Sequence, residues 1–190
     1  MNFNLNFPLK SNKIISGKFQ ELEISDFHSA SIFIKNLPYK RNSDKENSIN
    51  VFQDLGGTCS TKHALLKNLA SENNITELRL MLGIFRMNQF NTPKISNVLE
   101  KYKVKEMPEA HNYLKFQNEI LDCTRKNSSS EDFIDDLLLE IEIQTSQITD
   151  FKIQYHQKFL ANYLQENPQI PYSLSEFWEI REECIATLQQ

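Results

Sequence analysis

The residue types of an acyl-transfer site occur in this chain, and the first lies in "QDLGGTCSTKHALL", residues 53–66. Two glycines and a threonine lead into Cys59, and a helix-like apolar pattern follows at once. A thiolate rather than a thiol attacks carbonyls, and a helix N-terminus lowers a cysteine pKa by stabilising negative charge. Gly56 and Gly57 let the backbone turn sharply and let a substrate come close. A nucleophilic cysteine also needs a general base, and the base needs an orienting group. His111 and Asp122 lie in "HNYLKFQNEILDCT", which reads as two short strands about a Gln117-Asn118 turn. With a two-residue turn His111 opposes Thr124 and Tyr113 opposes Asp122. His111 and Asp122 then share a face as diagonal neighbours, their Cβ atoms about 7 Å apart, within reach for a carboxylate to hold an imidazole. A three-residue turn would shift that register.

Each of these residues also has a plainer reading. A lone cysteine is most often a small buried hydrophobe. His63 is four residues beyond Cys59 on the same helical face, so Cys59, His63 and His111 could instead hold a metal, although no paired cysteines exist to complete a four-ligand site. Lys62 is a solvated or packing residue whose charge would favour a thiolate. Strand alternation turns Cys123 away from Asp122 and into the core, and Cys184 packs in the last helix near Ile180 and Leu188. His28 and His156 read as ordinary helix residues. Phe151, Tyr155, Phe159 and Tyr163 recur every four residues, the core face of a helix, and Trp178 reads as an interface anchor.

The elements that must carry these groups follow from periodicity and punctuation. "NFNLNFPLK" alternates like a short edge strand, confined there by Pro8. "SDFHSASIFIKNL" is a helix capped by Ser25 or Asp26 and ended before Pro38. A polar loop over residues 40–48 precedes the helix that starts at Cys59, with Leu65, Leu66, Leu69 and Ala70 as its stripe and "ENN" at its end. "TELRLMLGIFRM" is a central strand, apolar on the face of Leu78, Leu80, Leu82 and Ile84 and mixed on the other. "TPKISNVLEKYKVKEMP" is a connecting excursion with a helical turn or two, and "DLLLEIEI" fits either a strand or a helix. "DFKIQYHQKFLANYLQE" and "PYSLSEFWEIREECIATLQ" are helices, the latter with Ser173 and Glu176 as a capping box. The order predicts an α+β domain.

Taken together, "GGTCSTKHALL", "EAHNYL" and "ILDCT" resemble the transglutaminase-like branch of the papain-like cysteine superfamily. Its pattern is a glycine-flanked cysteine starting a helix, a histidine on a later strand, and an aspartate in a D-x-T segment on the next, completed here by Thr124. The resemblance covers about residues 25–125 and implies a triad of Cys59, His111 and Asp122 on a central helix packed against an antiparallel sheet. It implies an oxyanion hole built from the Cys59 backbone N–H and from Gln53, six residues earlier, where papain-like enzymes carry a glutamine. The family includes protein-crosslinking acyltransferases, peptidases, amidases and deamidases. Tyr113 stands where the family often has tryptophan, and the calcium apparatus and extra domains of the animal crosslinking enzymes do not fit in 190 residues. The helices from about residue 145 lie outside the resemblance.

Bulk properties narrow the setting. A net charge of −4 gives no basic excess to neutralise phosphates, which excludes nucleic acid as a partner. No signal-peptide pattern opens the chain and no apolar run approaches the roughly 20 residues of a membrane span. Three cysteines without a C-x-x-C suit a reducing compartment and predict a cytoplasmic protein. Nothing in the sequence sets an oligomeric state. The expected protein is a single domain over residues 1–190, with a C-terminal helical extension over about 145–190. It acts as a cysteine hydrolase or acyltransferase on an amide or peptide bond of a peptide, protein or small amide, through a thioester and without a cofactor. The alternative is a non-catalytic protein-interaction domain on the same fold.

Overall fold

The computed structural model describes residues 3–188. The first part is helical: α1 (Ile14–Glu21), α2 (Phe27–Asn36), the short α3 (Asn50–Gln53) and α4 (Cys59–Glu72). Asp26 caps α2 by accepting a hydrogen bond from the Ser29 N–H at 2.9 Å. The strand expected over residues 3–9 is absent. Leu5, Phe7 and Leu9 are buried in alternation, yet Pro8 makes only an isolated bridge with Asp26. Lacking an N–H, Pro8 cannot extend a ladder, and the segment instead lays its side chains on the helices, the Phe7 ring stacking on Phe27 at 4.9 Å. The helix α1 escaped the periodicity because it buries little apolar surface, chiefly Ile15 and Phe19, and has no side-chain N-cap.

The central helix α4 buries Ala64, Leu65, Leu66, Leu69 and Ala70 completely and ends at Asn73, with Asn74 following at a φ of 63°. Next come β1 (Arg79–Asn88), α5 (Ser96–Lys101), β2 (Glu106–Phe116), β3 (Glu119–Leu121) and β4 (Leu137–Ile143). Two long helices finish the fold, α6 (Asp150–Glu166) and α7 (Leu174–Leu188). The ambiguous "DLLLEIEI" is therefore a strand, paired with β1. The four strands are antiparallel in the order β3-β2-β1-β4. Leu114 opposes Leu121 and Phe116 opposes Glu119, so the β2–β3 turn holds two residues, with Gln117 at a φ of 52°. This register brings His111 level with Thr124, as the two-residue turn predicts.

The sheet is covered on both faces. Leu80, Leu82, Ile84 and Leu114 pack with α1, α2 and α4, while Met81, Phe85, Met87 and Tyr113 pack with residues of α5, α6 and α7. The second face of β1 is therefore apolar and buried rather than mixed, because the C-terminal helices cover it. Among the described residues, no helix is long and apolar enough to cross a membrane.

Candidate active site

Cys59 is the first residue of α4. Thr58 caps the helix: its hydroxyl accepts from the Thr61 N–H at 3.4 Å, and the Thr61 hydroxyl accepts from the Thr58 N–H at 3.0 Å. Thr58 Oγ1 takes the Thr61 N–H, and the Thr58 carbonyl takes that of Lys62, which leaves the Cys59 and Ser60 N–H groups without an intrahelical acceptor. The two glycines before the cap have a different task from the one expected. Neither has a positive φ. Gly56 makes room for the chain at residues 38–40, since a Cβ there would lie 3.0 Å from the Pro38 carbonyl, and Gly57 makes room for the first turn of α4, since a Cβ there would lie 2.8 Å from Thr61 Oγ1. The Gly57 N–H donates to Pro38 O and the Lys40 N–H to Gly57 O, a pairing that brings Tyr39 beside the cysteine.

On β2, His111 presents Nε2 to Asp122 Oδ2 at 3.0 Å. Asp122 lies just beyond β3 and is fixed by the Thr124 N–H, which donates to its Oδ1 at 2.8 Å. With Nε2 taken, Nδ1 is the nitrogen left to act on the Cys59 sulfur, which lines the same cavity. The imidazole is clamped by rings, Phe133 at 5.0 Å, with Phe85 and Tyr113 each at 6.0 Å. Tyr113 is itself anchored through its hydroxyl to Glu140. Burial would lower the His111 pKa, but the Asp122 carboxylate and the Cys59 sulfur outweigh it and raise it to about 10. Burial likewise opposes ionisation of Asp122, yet the charge and hydrogen bond of His111 hold its carboxyl far below the usual range.

Two further side chains of α4 tie the strand segment of Asp122 to the helix of Cys59. His63 is fully buried, with Nδ1 2.7 Å from the Cys59 carbonyl and Nε2 2.7 Å from the Cys123 N–H. The amide fixes Nε2 as the acceptor, so Nδ1 carries the proton and the ring is neutral. Its pKa falls to about 4, chiefly through burial, against the pull of Asp122. Both ring nitrogens are thus occupied, which removes His63 from any metal set with Cys59 and His111. No group of three potential ligands stands ready for a metal among the described residues. Lys62, also fully buried, donates from Nζ to Leu37 O at 2.6 Å and Thr124 O at 2.9 Å, and burial lowers its pKa to about 8. Of its two expected roles it has the packing one, and its ammonium is directed at these carbonyls rather than at the thiol. Cys123 is buried as expected, its pKa raised by burial and by the Asp122 charge.

The residue that sequence reasoning missed comes from α6. Lys152 Nζ lies 3.6 Å from Cys59 Sγ and donates to Ser60 Oγ at 2.9 Å and Asn112 Oδ1 at 2.8 Å. Asn112 completes the cluster by accepting from Ser60 Oγ at 2.9 Å and donating to Met81 O at 2.9 Å. Burial by itself would raise the Cys59 pKa. The Lys152 charge, the His111 hydrogen bond and charge, and the Asn112 backbone N–H reverse this and bring it to about 6. The buried stripe of α6 is Lys152, His156 and Leu160, one residue on from the aromatic series, and Phe151 is exposed. That i, i+4, i+8 spacing was the available signal, obscured because two of its members are polar.

The same stripe makes His156 more than an ordinary helix residue: its Nε2 hydrogen-bonds Pro108 O at 2.8 Å and its ring meets Trp178 at 5.3 Å. From α7, Arg181 grips the buried Glu109 with two nitrogens, and its guanidinium stacks on Trp178 at 5.1 Å. Burial opposes ionisation of Glu109, but Arg181 keeps its pKa below the usual value. Cys184 packs as expected, fully buried. His28 is exposed on α2.

No family model, curated protein or solved structure matches this chain. The geometry of the site carries the functional argument on its own.

Two cavities flank Cys59. The larger, about 140 Å³, is lined by Cys59, Ser60, Lys152, Trp178 and Arg181 among others. The smaller, about 60 Å³, is lined by Cys59, His111, Asp122, Thr124, Arg125 and Phe133 among others. Tyr39, Glu109 and Ile185 border both. Gln53 lines neither cavity. It ends α3 with its side chain exposed, and the following Asp54 is tied to Asn42 and Ser43, away from the thiol.

Proposed function

We propose that this protein is a transglutaminase-like thiol hydrolase or acyltransferase, with a papain-like core and a triad of Cys59, His111 and Asp122. The observation that carries the proposal is that Cys59, His111 and Asp122 line one cavity, with His111 Nε2 3.0 Å from the carboxylate. Pairing of an imidazolium with a thiolate at neutral pH agrees with a cysteine held at about 6 and a histidine at about 10.

In the reaction Cys59 Sγ attacks an amide carbonyl carbon, forming the C–S bond while the carbonyl π electrons move to oxygen. The oxyanion is met by the Cys59 N–H and by Lys152 Nζ, which takes the part that Gln53 was expected to play. Collapse breaks the C–N bond as His111 passes its Nδ1 proton to the departing amine. Water, or a second amine, then yields a proton to His111 and adds to the thioester, and the C–S bond breaks to return the thiolate. Asp122 holds the ring so that Nδ1 faces the sulfur throughout. A pure binding domain has no use for a lysine ammonium buried against a cysteine, since desolvating that charge costs several kcal/mol.

The test is the reactivity of Cys59. Iodoacetamide should modify it stoichiometrically with an apparent pKa near 6, and His111→Ala should abolish that enhancement. Activated acyl esters should leave a thioester on Cys59, visible by intact mass and absent in Cys59→Ser. A wild-type Cys59 that titrates as an ordinary thiol near pH 8.5 refutes the proposal.

A further inference from the structure

We infer that the smaller cavity is a leaving-group subsite that selects an amine bearing a carboxylate: a free amino acid or the carboxyl-terminal end of a peptide. This inference rests on the thiol-hydrolase reading above. In such a reaction the departing amine must lie beside the group that protonates it. His111 lines the smaller cavity and not the larger one, so the amine side is the smaller cavity and the acyl side the larger.

Two independent features of the smaller cavity point to an anion. Arg125 lines it, half-buried, its guanidinium carbon 5.9 Å from the Tyr39 ring centre, and no acidic side chain among the described residues pairs with it. Two of the three carboxylates that line the same cavity are already paired with a cation. Glu109 is held by Arg181, Asp122 by His111 and the Thr124 N–H, and Asp132 accepts from the Ser129 N–H. A guanidinium left unneutralised and steadied on an aromatic face presents parallel N–H donors that fit a planar, two-oxygen anion.

The second feature is Thr124. Its residue is 5 % exposed, it lines this cavity, and its Oγ1 is the buried side-chain oxygen without a hydrogen-bond partner among the described residues. The rest of Thr124 cannot move to relieve this, because its N–H binds Asp122 and its carbonyl receives Lys62. A buried hydroxyl left unpaired is unfavourable, and a carboxylate oxygen bound by Arg125 supplies the missing acceptor. A volume of about 60 Å³ suits a single amino acid or a chain end rather than an extended segment. Cleavage at this position would release an acid from the acyl side and an amino acid, or short peptide, from the amine side.

The experiment compares iodoacetate with iodoacetamide as probes of Cys59, since they differ in carrying a carboxylate. Wild type should favour iodoacetate, and Arg125→Met should reduce the iodoacetate rate about tenfold more than the iodoacetamide rate. Thr124→Val, which exchanges only the hydroxyl for a methyl, should reduce that preference about threefold. Arg125→Lys keeps the charge without the fork and should give an intermediate ratio, which guards against a folding defect in Arg125→Met. Brisk alkylation with the same reagent ratio in wild type and Arg125→Met overturns the subsite and leaves the triad standing. Sluggish alkylation by both reagents in wild type overturns the triad and the subsite together.

Discussion

Removing the charge of Lys152 has an effect that can be worked out from the geometry. Lys152→Met keeps an unbranched stem in the buried site and deletes the cation 3.6 Å from Cys59 Sγ. Coulomb's law at that separation, with an effective dielectric constant of about 20, gives about 4–5 kcal/mol, or about 3 pKa units at ~1.4 kcal/mol each. Part of this is offset because Ser60 Oγ and Asn112 Oδ1 keep their mutual hydrogen bond and water can enter beside them, so about 2 units is the expected net rise. The sign follows from the charged form: the cation stabilises the thiolate, so its loss raises the Cys59 pKa from about 6 towards the ordinary thiol range. At pH 7 the thiolate fraction then falls from about nine-tenths to about one-tenth, and alkylation slows about tenfold. At pH 9.5 most of the rate should return. The assay is the pseudo-first-order rate of iodoacetamide modification from pH 5 to 10, with Cys123 and Cys184 silent because burial raises both. A variant profile within half a unit of wild type refutes the electrostatic account. So does a rate lowered equally at every pH.

Other perturbations test the supports of the site. Cys59 has a folded pKa below its unfolded 9.0 and His111 one above its unfolded 6.5, so between pH 6.5 and 9 the folded and unfolded states bind equal numbers of protons at this pair. Urea stability of wild type should therefore be flat across that window as far as the pair is concerned. In Cys59→Ala only His111 remains, whose contribution is full below pH 6.5 and is lost as pH rises through its folded pKa, so a downward slope should appear on titrating the urea midpoint. His63→Leu strands the Cys123 N–H, while the Cys59 carbonyl keeps its helical partner, and should cost about 1–3 kcal/mol, read by urea unfolding. Arg181→Leu leaves Glu109 buried and unpaired, and thermal unfolding should show a loss of about 3–5 kcal/mol.

The grouping of Cys59, His111 and Asp122 and its frame were legible because each part obeys a local rule. Cap and apolar stripe mark the helix of Cys59, and period-two alternation with a two-residue turn sets His111 against Asp122. What stayed hidden was decided by tertiary contact. Gly56 and Gly57 look like residues for a sharp turn, and only the folded packing reveals that Gly56 clears space for residues 38–40 and Gly57 for the first turn of α4. Gln53 has the spacing of an oxyanion donor, but spacing along a chain does not say which way a four-residue helix faces. His63 and Lys62 look like surface or ligand residues in the sequence because nothing local predicts that both will be enclosed and used as struts. Lys152 was missed for a related reason. A polar residue on the buried stripe of an amphipathic helix reads as noise until its partners, 92 and 93 residues earlier in the chain, are known.

The helices beyond residue 145 are thus part of the site rather than an appendage to it. In the proposed enzyme His111 and Asp122 are the base and its orienter, but burial of the cysteine works against ionisation, and the first influence that reverses this is the charge of Lys152 from α6. Burying that ammonium is costly unless its donors are satisfied, which is the task of Ser60 and Asn112, and the helix must be held down, which the ring of Trp178 against His156 and the Arg181–Glu109 pair accomplish. The consequence is a site with two cations that no acidic side chain neutralises among the described residues, Lys152 and Arg125, while Arg181 is paired with Glu109 and Glu182. In the proposed enzyme the two tasks are divided: Lys152 lowers the thiol pKa from the larger cavity, and Arg125 and Thr124 hold the carboxylate in the smaller. On this logic, the same core joined to C-terminal helices without a lysine at that position would keep the geometry of Cys59, His111 and Asp122 and lose the neutral-pH thiolate.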